Sequence, residues 1–239
     1  MKRATLAIVL SVLVLALVLT VVLVFGVIPF PEYPSLAEHP DPSIPGTVVF
    51  TFGDDPPCLE VVPAAGGVPR ELRCDRNIAG NGLAWTSDGL IVTFDTSTYP
   101  PQYALIDPES DQVVERIDAG PTAGPDLLFP KPDIARRSDG TVLTADRSTR
   151  GATLMIQEPN KESRLLLEVR GPRNYRFEMV RWSPDGNWVL AIDSEERLLI
   201  VRATGDPEPR ILAEGVARWM PAAWYIPGFT DGTFQVPGR

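Results

Sequence analysis

The chain offers few groups that could do chemistry. Its only histidine, His39, lies in a proline-rich stretch near the N-terminus, which leaves the rest of the chain without the usual general base. A nucleophilic triad therefore has no proton acceptor, and the two cysteines, Cys58 and Cys74, suit a disulfide better than a nucleophile. Acids are plentiful and a facing pair could run carboxylate-dependent glycoside hydrolysis or elimination, but no motif selects a pair. Asp107-Pro108-Glu109-Ser110-Asp111 alternates carboxylates, yet it lacks the rest of a calcium loop and reads as a solvated hairpin tip. No catalytic residue, metal ligand or cofactor is expected.

Arginine is the more suggestive residue. Arg147, Arg150, Arg170, Arg173 and Arg176, together with Tyr175, crowd two short stretches, and such a cluster can grip phosphate or carboxylate through paired guanidinium bonds. The plainer account is a set of solvated loops with internal arginine–acid pairs. Beside them, residues 120–132 carry Leu127, Leu128 and Phe129, which would add apolar contact. From residue 28 onward there are 20 basic and 31 acidic side chains, a net charge of −11. Nucleic acid is an unsuitable partner for such a surface, because binding it requires a basic stripe to replace phosphate counterions.

Those residues must be carried on something, and the N-terminus says where. Residues 4–28 contain no charge and at 1.5 Å per residue make about 37 Å of helix, enough to span a bilayer with some tilt. Lys2 and Arg3 precede it and the next basic residue is Arg70, so the positive-inside rule keeps the N-terminus cytoplasmic and sends the body outside the cell membrane. A cleaved leader is the competing reading, with Ser35-Leu36-Ala37 as a small-x-small site, but the apolar run is longer than a leader's core. Residues 1–28 are thus read as a single-pass signal anchor. Residues 29–45, with six prolines, form an extended stalk. Residues 46–239 are the body.

Short apolar bursts between turns make the body all-β. Residues 58–62 and 70–74 flank Ala64-Ala65-Gly66-Gly67, and a hairpin centred on Gly66 sets Cys58 opposite Cys74. Farther on, one phrase occurs three times: Gly82-Leu83-Ala84-Trp85-Thr86-Ser87-Asp88-Gly89, Asp133-Ile134-Ala135-Arg136-Arg137-Ser138-Asp139-Gly140 and Met179-Val180-Arg181-Trp182-Ser183-Pro184-Asp185-Gly186. Each is followed by an apolar strand (90–94, 141–145, 187–192), so the Asp-Gly pairs fall where a hairpin needs positive φ. The repeated aspartates are turn formers on this reading. Third strands (102–106, 153–157, 197–201) and fourth strands (112–117, 163–169, 209–213) complete each unit, and four strands per repeat is a β-propeller blade.

The phrase Trp182-Ser183-Pro184-Asp185-Gly186 resembles TolB-like, WD-type propeller repeats, which carry it at the turn between the first two strands of a blade. Trp85 to Gly89 matches in part, and the third copy has Arg136 in the tryptophan position. The resemblance spans residues 46–226 and implies a fold without naming a ligand.

Before the first complete unit, residues 47–52, 58–62 and 71–74 supply three strands; after the last, residues 216–221 supply one. The C-terminal strand is expected to complete the N-terminal blade and remove the exposed edges. That makes a small propeller of four blades, unless residues 223–226 and 232–236 begin an incomplete fifth. Trp85, Trp182 and Trp219 are expected at one equivalent position, packing between blades. Ala84, Ala135, Arg181 and Arg218 precede that position, and strand alternation turns Arg181 and Arg218 toward the central channel. The expected function is a membrane-anchored, extracytoplasmic binding or scaffolding module of the cell envelope, with an envelope protein or anionic surface ligand as partner. A carboxylate-dependent enzyme on the same scaffold is the alternative.

Overall fold

The computed structural model describes residues 40–78, 82–119, 133–148, 151–170, 175–205, 208–217 and 221–236, with Ser148 and Arg170 as backbone only. The expected anchor and most of the stalk lie outside them. No helix among the described residues is long and apolar enough to cross a membrane.

Among the described residues, sixteen strands form four antiparallel sheets of four. The second contains β4 (Ala84–Trp85), β5 (Ile91–Asp95), β6 (Gln102–Asp107) and β7 (Gln112–Asp118) in chain order. The third runs through β8 (Ile134–Arg136), β9 (Val142–Ser148), β10 (Gly151–Gln157) and β11 (Arg164–Arg170), and the fourth through β12 (Phe177–Trp182), β13 (Trp188–Asp193), β14 (Arg197–Arg202) and β15 (Arg210–Glu214). The first joins the two ends of the body: β16 (Ala222–Tyr225) pairs with β1 (Thr47–Phe52), followed by β2 (Cys58–Pro63) and β3 (Arg70–Cys74). This is a propeller-like fold of four blades.

The turn chemistry of the repeats is local. In the fourth sheet Gly186 has φ +71°, a conformation that costs a side chain dearly. Asp185 accepts from the Asn187 amide at 3.1 Å, and in the third sheet Asp139 accepts from the Thr141 amide at 2.8 Å. These aspartates shape hairpins. The cysteines pair in register, Cys58 opposite Cys74, and form a disulfide between β2 and β3 with their Cα atoms 3.9 Å apart.

Two expectations about the C-terminus are corrected. The strand that completes the first blade is residues 222–225, not 216–221; Val216 makes only an isolated bridge to Phe52, and residues 218–220 lie outside the described residues. Residues 223–225 therefore belong to this closing strand, with Ile226 just after it, rather than to a fifth blade. Residues 232–236 form no strand and instead lie against the second sheet, with Phe234 and Val236 packed on Val92, Phe94 and Tyr103.

The core lies in the seams between sheets. Leu190, Ile192 and Leu198 of the fourth sheet meet Val48, Phe50 and Trp224 of the first. The third and fourth join through Leu143, Leu154, Val189 and Leu199, and the first and second through Val49, Leu59, Trp85 and Ile91. Large aromatics at the first strands anchor these seams, as expected of side chains that bury so much area. Trp85 donates its indole N–H to Ala223 O at 3.0 Å, and Trp182 donates to Ala135 O at 3.3 Å. The third tryptophan of the set is Trp224, donating to Pro45 O at 2.9 Å. It takes the place expected for Trp219.

Candidate functional site

Along each first strand, alternate residues face opposite ways. With the tryptophans turned into the seams, the residues before them line a cavity of about 930 Å³ on the axis of the ring. Those residues are Ala84, Ala135, Arg181 and Ala223. The fourth is alanine, since the closing strand is shifted, and Arg218 lies outside the described residues. Three small side chains leave room that one long cation enters.

Arg181 is half-buried there and donates from Nη1 to the Val180 carbonyl at 2.9 Å. Burial pushes its guanidinium down to about 10, so it still carries its charge at neutral pH. Two further arginines line the cavity from the third sheet, Arg136 and Arg137. Arg136 is exposed at the end of β8, whereas Arg137 lies over the Trp182 ring, 5.5 Å from its centroid, and pairs with Asp139 at 3.4 Å. The position of Arg137 depends on a glycine: a Cβ at Gly186 would come within 2.3 Å of its Cζ. Asp231 is the carboxylate among the described lining residues, and it accepts a hydrogen bond from Ser138 Oγ at 2.6 Å. Guanidiniums and hydroxyls set around a cleft of this size suit a ligand with several acceptor oxygens.

Among the described residues, Arg147, Arg170 and Arg176, also singled out in the sequence, belong to the opposite end of the ring. β12 carries the chain from Arg176 to Arg181, five residues and roughly 16 Å of extended strand, so the two do not meet at one point. Arg147 is exposed near the end of β9, and Arg170 ends β11, its backbone opposite Gly151. Arg176 is half-buried and pairs with Glu178 at 2.6 Å. Tyr175 is buried, and its hydroxyl donates to Asp193 Oδ2 at 3.0 Å. Arg150, Arg173 and the apolar loop 120–132 lie outside the described residues.

Arg137, Ser138 and Asp231 went unmarked in the sequence reading. Arg136 was visible as the residue replacing a tryptophan, which is a signal that the seam before it is built differently. Also missed was a repeated buried pair at the ends of the second strands. Asp95 accepts from the Ser97 amide at 2.8 Å and Arg116 Nε at 3.1 Å, and Asp193 accepts from the Glu195 amide at 2.9 Å and Arg197 Nε at 2.8 Å. Asp-x-Ser in Asp95-Thr96-Ser97 and Asp-x-Glu in Asp193-Ser194-Glu195 were its only traces. These carboxylates hold turns together, as buried charges need several partners.

No family model matches the sequence, and no curated protein matches it. Among solved structures, TolB from Acinetobacter baumannii is similar at 15% identity, over 70% of this chain and 41% of that one, with a TM-score of 0.29. A structure from a study of two prolyl endopeptidases matches at 13% identity over 72% of this chain and 28% of that one, TM-score 0.27. A chain of the nidogen/laminin complex matches at 17% identity over 70% of this chain and 62% of that one, TM-score 0.25. The chain thus spans less than two thirds of the length of each.

Proposed function

We propose that this protein is a membrane-anchored, extracytoplasmic binding module of the cell envelope, whose ring holds a protein partner through carboxylate or phosphate groups presented to its axial cavity. The observation that carries the reading is the approach of Arg136, Arg137 and Arg181 around one cleft of about 930 Å³. That volume lies in the range of ordinary ligand sites, and guanidinium forks are the side chains best matched to such oxygens. The uncharged run 4–28 and the stalk behind it supply the anchoring. The alternative of a carboxylate-dependent enzyme needs two facing acids, and no observation selects a second beside Asp231.

A photo-crosslinking residue at Ser138, in the full chain in its native membrane, tests the reading against the same probe at Val114, which is exposed on the outer strand β7. Adducts specific to Ser138 that disappear in an Arg136→Ala/Arg181→Ala variant are expected. Equal adducts from both sites, or adducts indifferent to the arginines, would sink it. Protease added from outside should reach the body and leave the first residues protected.

A further inference from the structure

Three seams of the ring receive a first-strand tryptophan, Trp85, Trp182 or Trp224. The seam between the second and third sheets cannot, because Arg136 stands in that position and is exposed. The C-terminal segment lies over the second-sheet face of that seam instead. Phe234 lies 4.9 Å from the buried Tyr103 ring, Val236 packs on the same face, and the Phe234 amide donates to Trp85 O at 2.7 Å. Across the seam, Asp231 takes the Ser138 hydroxyl.

The attachment is slight. Among the described residues, the backbone of 230–236 reaches the ring through that single hydrogen bond. Phe234 and Val236 are half-buried, and residues 227–232 are exposed. Gly228 and Gly232, both at positive φ, have nothing within 4 Å of where a Cβ would stand, so the chain is not held by packing at either glycine. By contrast β16, a few residues earlier, is held by four register pairs and a buried tryptophan.

The geometry points to an exchangeable strand-docking site: the seam between the second and third sheets accepts an extended partner segment carrying an aromatic residue and, two positions on, an aliphatic one, and residues 231–236 occupy it in its absence. Residues two apart share one side of an extended chain, so Phe234 and Val236 define the side-chain demand. The Trp85 carbonyl, which accepts from the Phe234 amide in the cis arrangement, supplies the backbone bond, as in other strand additions. The cis occupant lowers the apparent affinity of any partner by the fraction of time it stays docked. Residues 231–235 also line the arginine-bordered cavity, so this site adjoins the proposed one, and its tests read the tail itself rather than a cavity ligand.

Hydrogen exchange on the unmodified full chain in detergent is the first test. The Phe234 amide should exchange at least about a hundredfold faster than the β16 amides, because the tail opens without the ring; equal protection overturns the proposal. The second uses a labelled peptide of residues 230–236 (Thr-Asp-Gly-Thr-Phe-Gln-Val) as probe. It should bind the Phe234→Ala chain at least about tenfold more tightly than the unmodified chain, and a peptide with alanine for its phenylalanine should not bind. A folded Phe234→Ala chain with no gain in peptide affinity also overturns it. Should that variant lose its near-ultraviolet circular dichroism, the exchange ratio decides alone.

Discussion

The last stretch of the chain closes the ring twice, in two different ways. β16 completes the first sheet by pairing Ala222–Tyr225 with β1 and burying Trp224 against the fourth sheet. The tail beyond it covers the second sheet's face at the seam with the third through half-buried Phe234 and Val236 and one backbone hydrogen bond. The first closure satisfies a strand edge that would otherwise template aggregation. The second covers an apolar face that no strand edge completes, so it rests on area and packing with two hydrogen bonds beside them, Phe234 N–H to Trp85 O and Ser138 Oγ to Asp231. A ladder is cooperative where a single aromatic is replaceable.

Truncation should break this comparison most sharply. A chain ending at residue 217 loses β16 and is expected to melt without a cooperative transition, whereas one ending at residue 228 should keep its transition and lose only about 1–3 kcal/mol, the burial of one or two apolar side chains. Similar melting of the two truncations would show that the closures are equivalent. Next in size, Trp85→Ala removes a buried seam tryptophan (2% exposed) and should cost about 3–5 kcal/mol in urea unfolding. Phe234→Ala, by comparison, should cost about 1–2 kcal/mol, since the side chain is half-exposed. A larger loss for Phe234 than for Trp85 would reverse the ranking.

The Cys58–Cys74 disulfide closes a loop of sixteen residues in sequence separation on the outer strands of the first sheet. Replacing both cysteines by serine should lower stability by about 3 kcal/mol while leaving Phe234 exchange unchanged, which separates the staple from either closure. The smallest effect concerns acid. Burial works against the charge of Asp95, but bonds from the Ser97 hydroxyl and amide and from Arg116 outweigh it and hold the carboxyl below its usual range. A depressed folded pKa means the stabilisation is present above the unfolded value near 4 and is lost as pH falls through the folded one. Asp95→Asn should therefore flatten the acid limb of stability for the sheet beneath the tail; an unchanged limb would place the acid sensitivity elsewhere.

Much of this architecture is legible locally. The three Asp-Gly turns, the strands after them and the register of Cys58 with Cys74 follow from turn chemistry and two-residue alternation within about fifteen residues of chain. Alternation also suffices to turn Ala84, Ala135 and Arg181 toward the axis once the tryptophans face the seams. The closing strand is a different matter, because 216–221 and 222–225 are both short apolar segments with a tryptophan, and the choice between them is made by β1, about 175 residues away, through pairing that no local pattern encodes.

The same limit applies to the site. Arg147, Arg170 and Arg176 look like one cluster by proximity in sequence, but a strand of six residues separates that end of the ring from Arg136, Arg137 and Arg181. Composition and periodicity determined the repeat, the turns, the disulfide pair and the uncharged N-terminal run. Only the tertiary structure decided which strand closes the first sheet, which arginines share a cavity, and that Phe234 stands where Arg136 cannot. These are contacts between distant segments, chosen by complementary shape and edge pairing rather than by the preferences of the residues themselves.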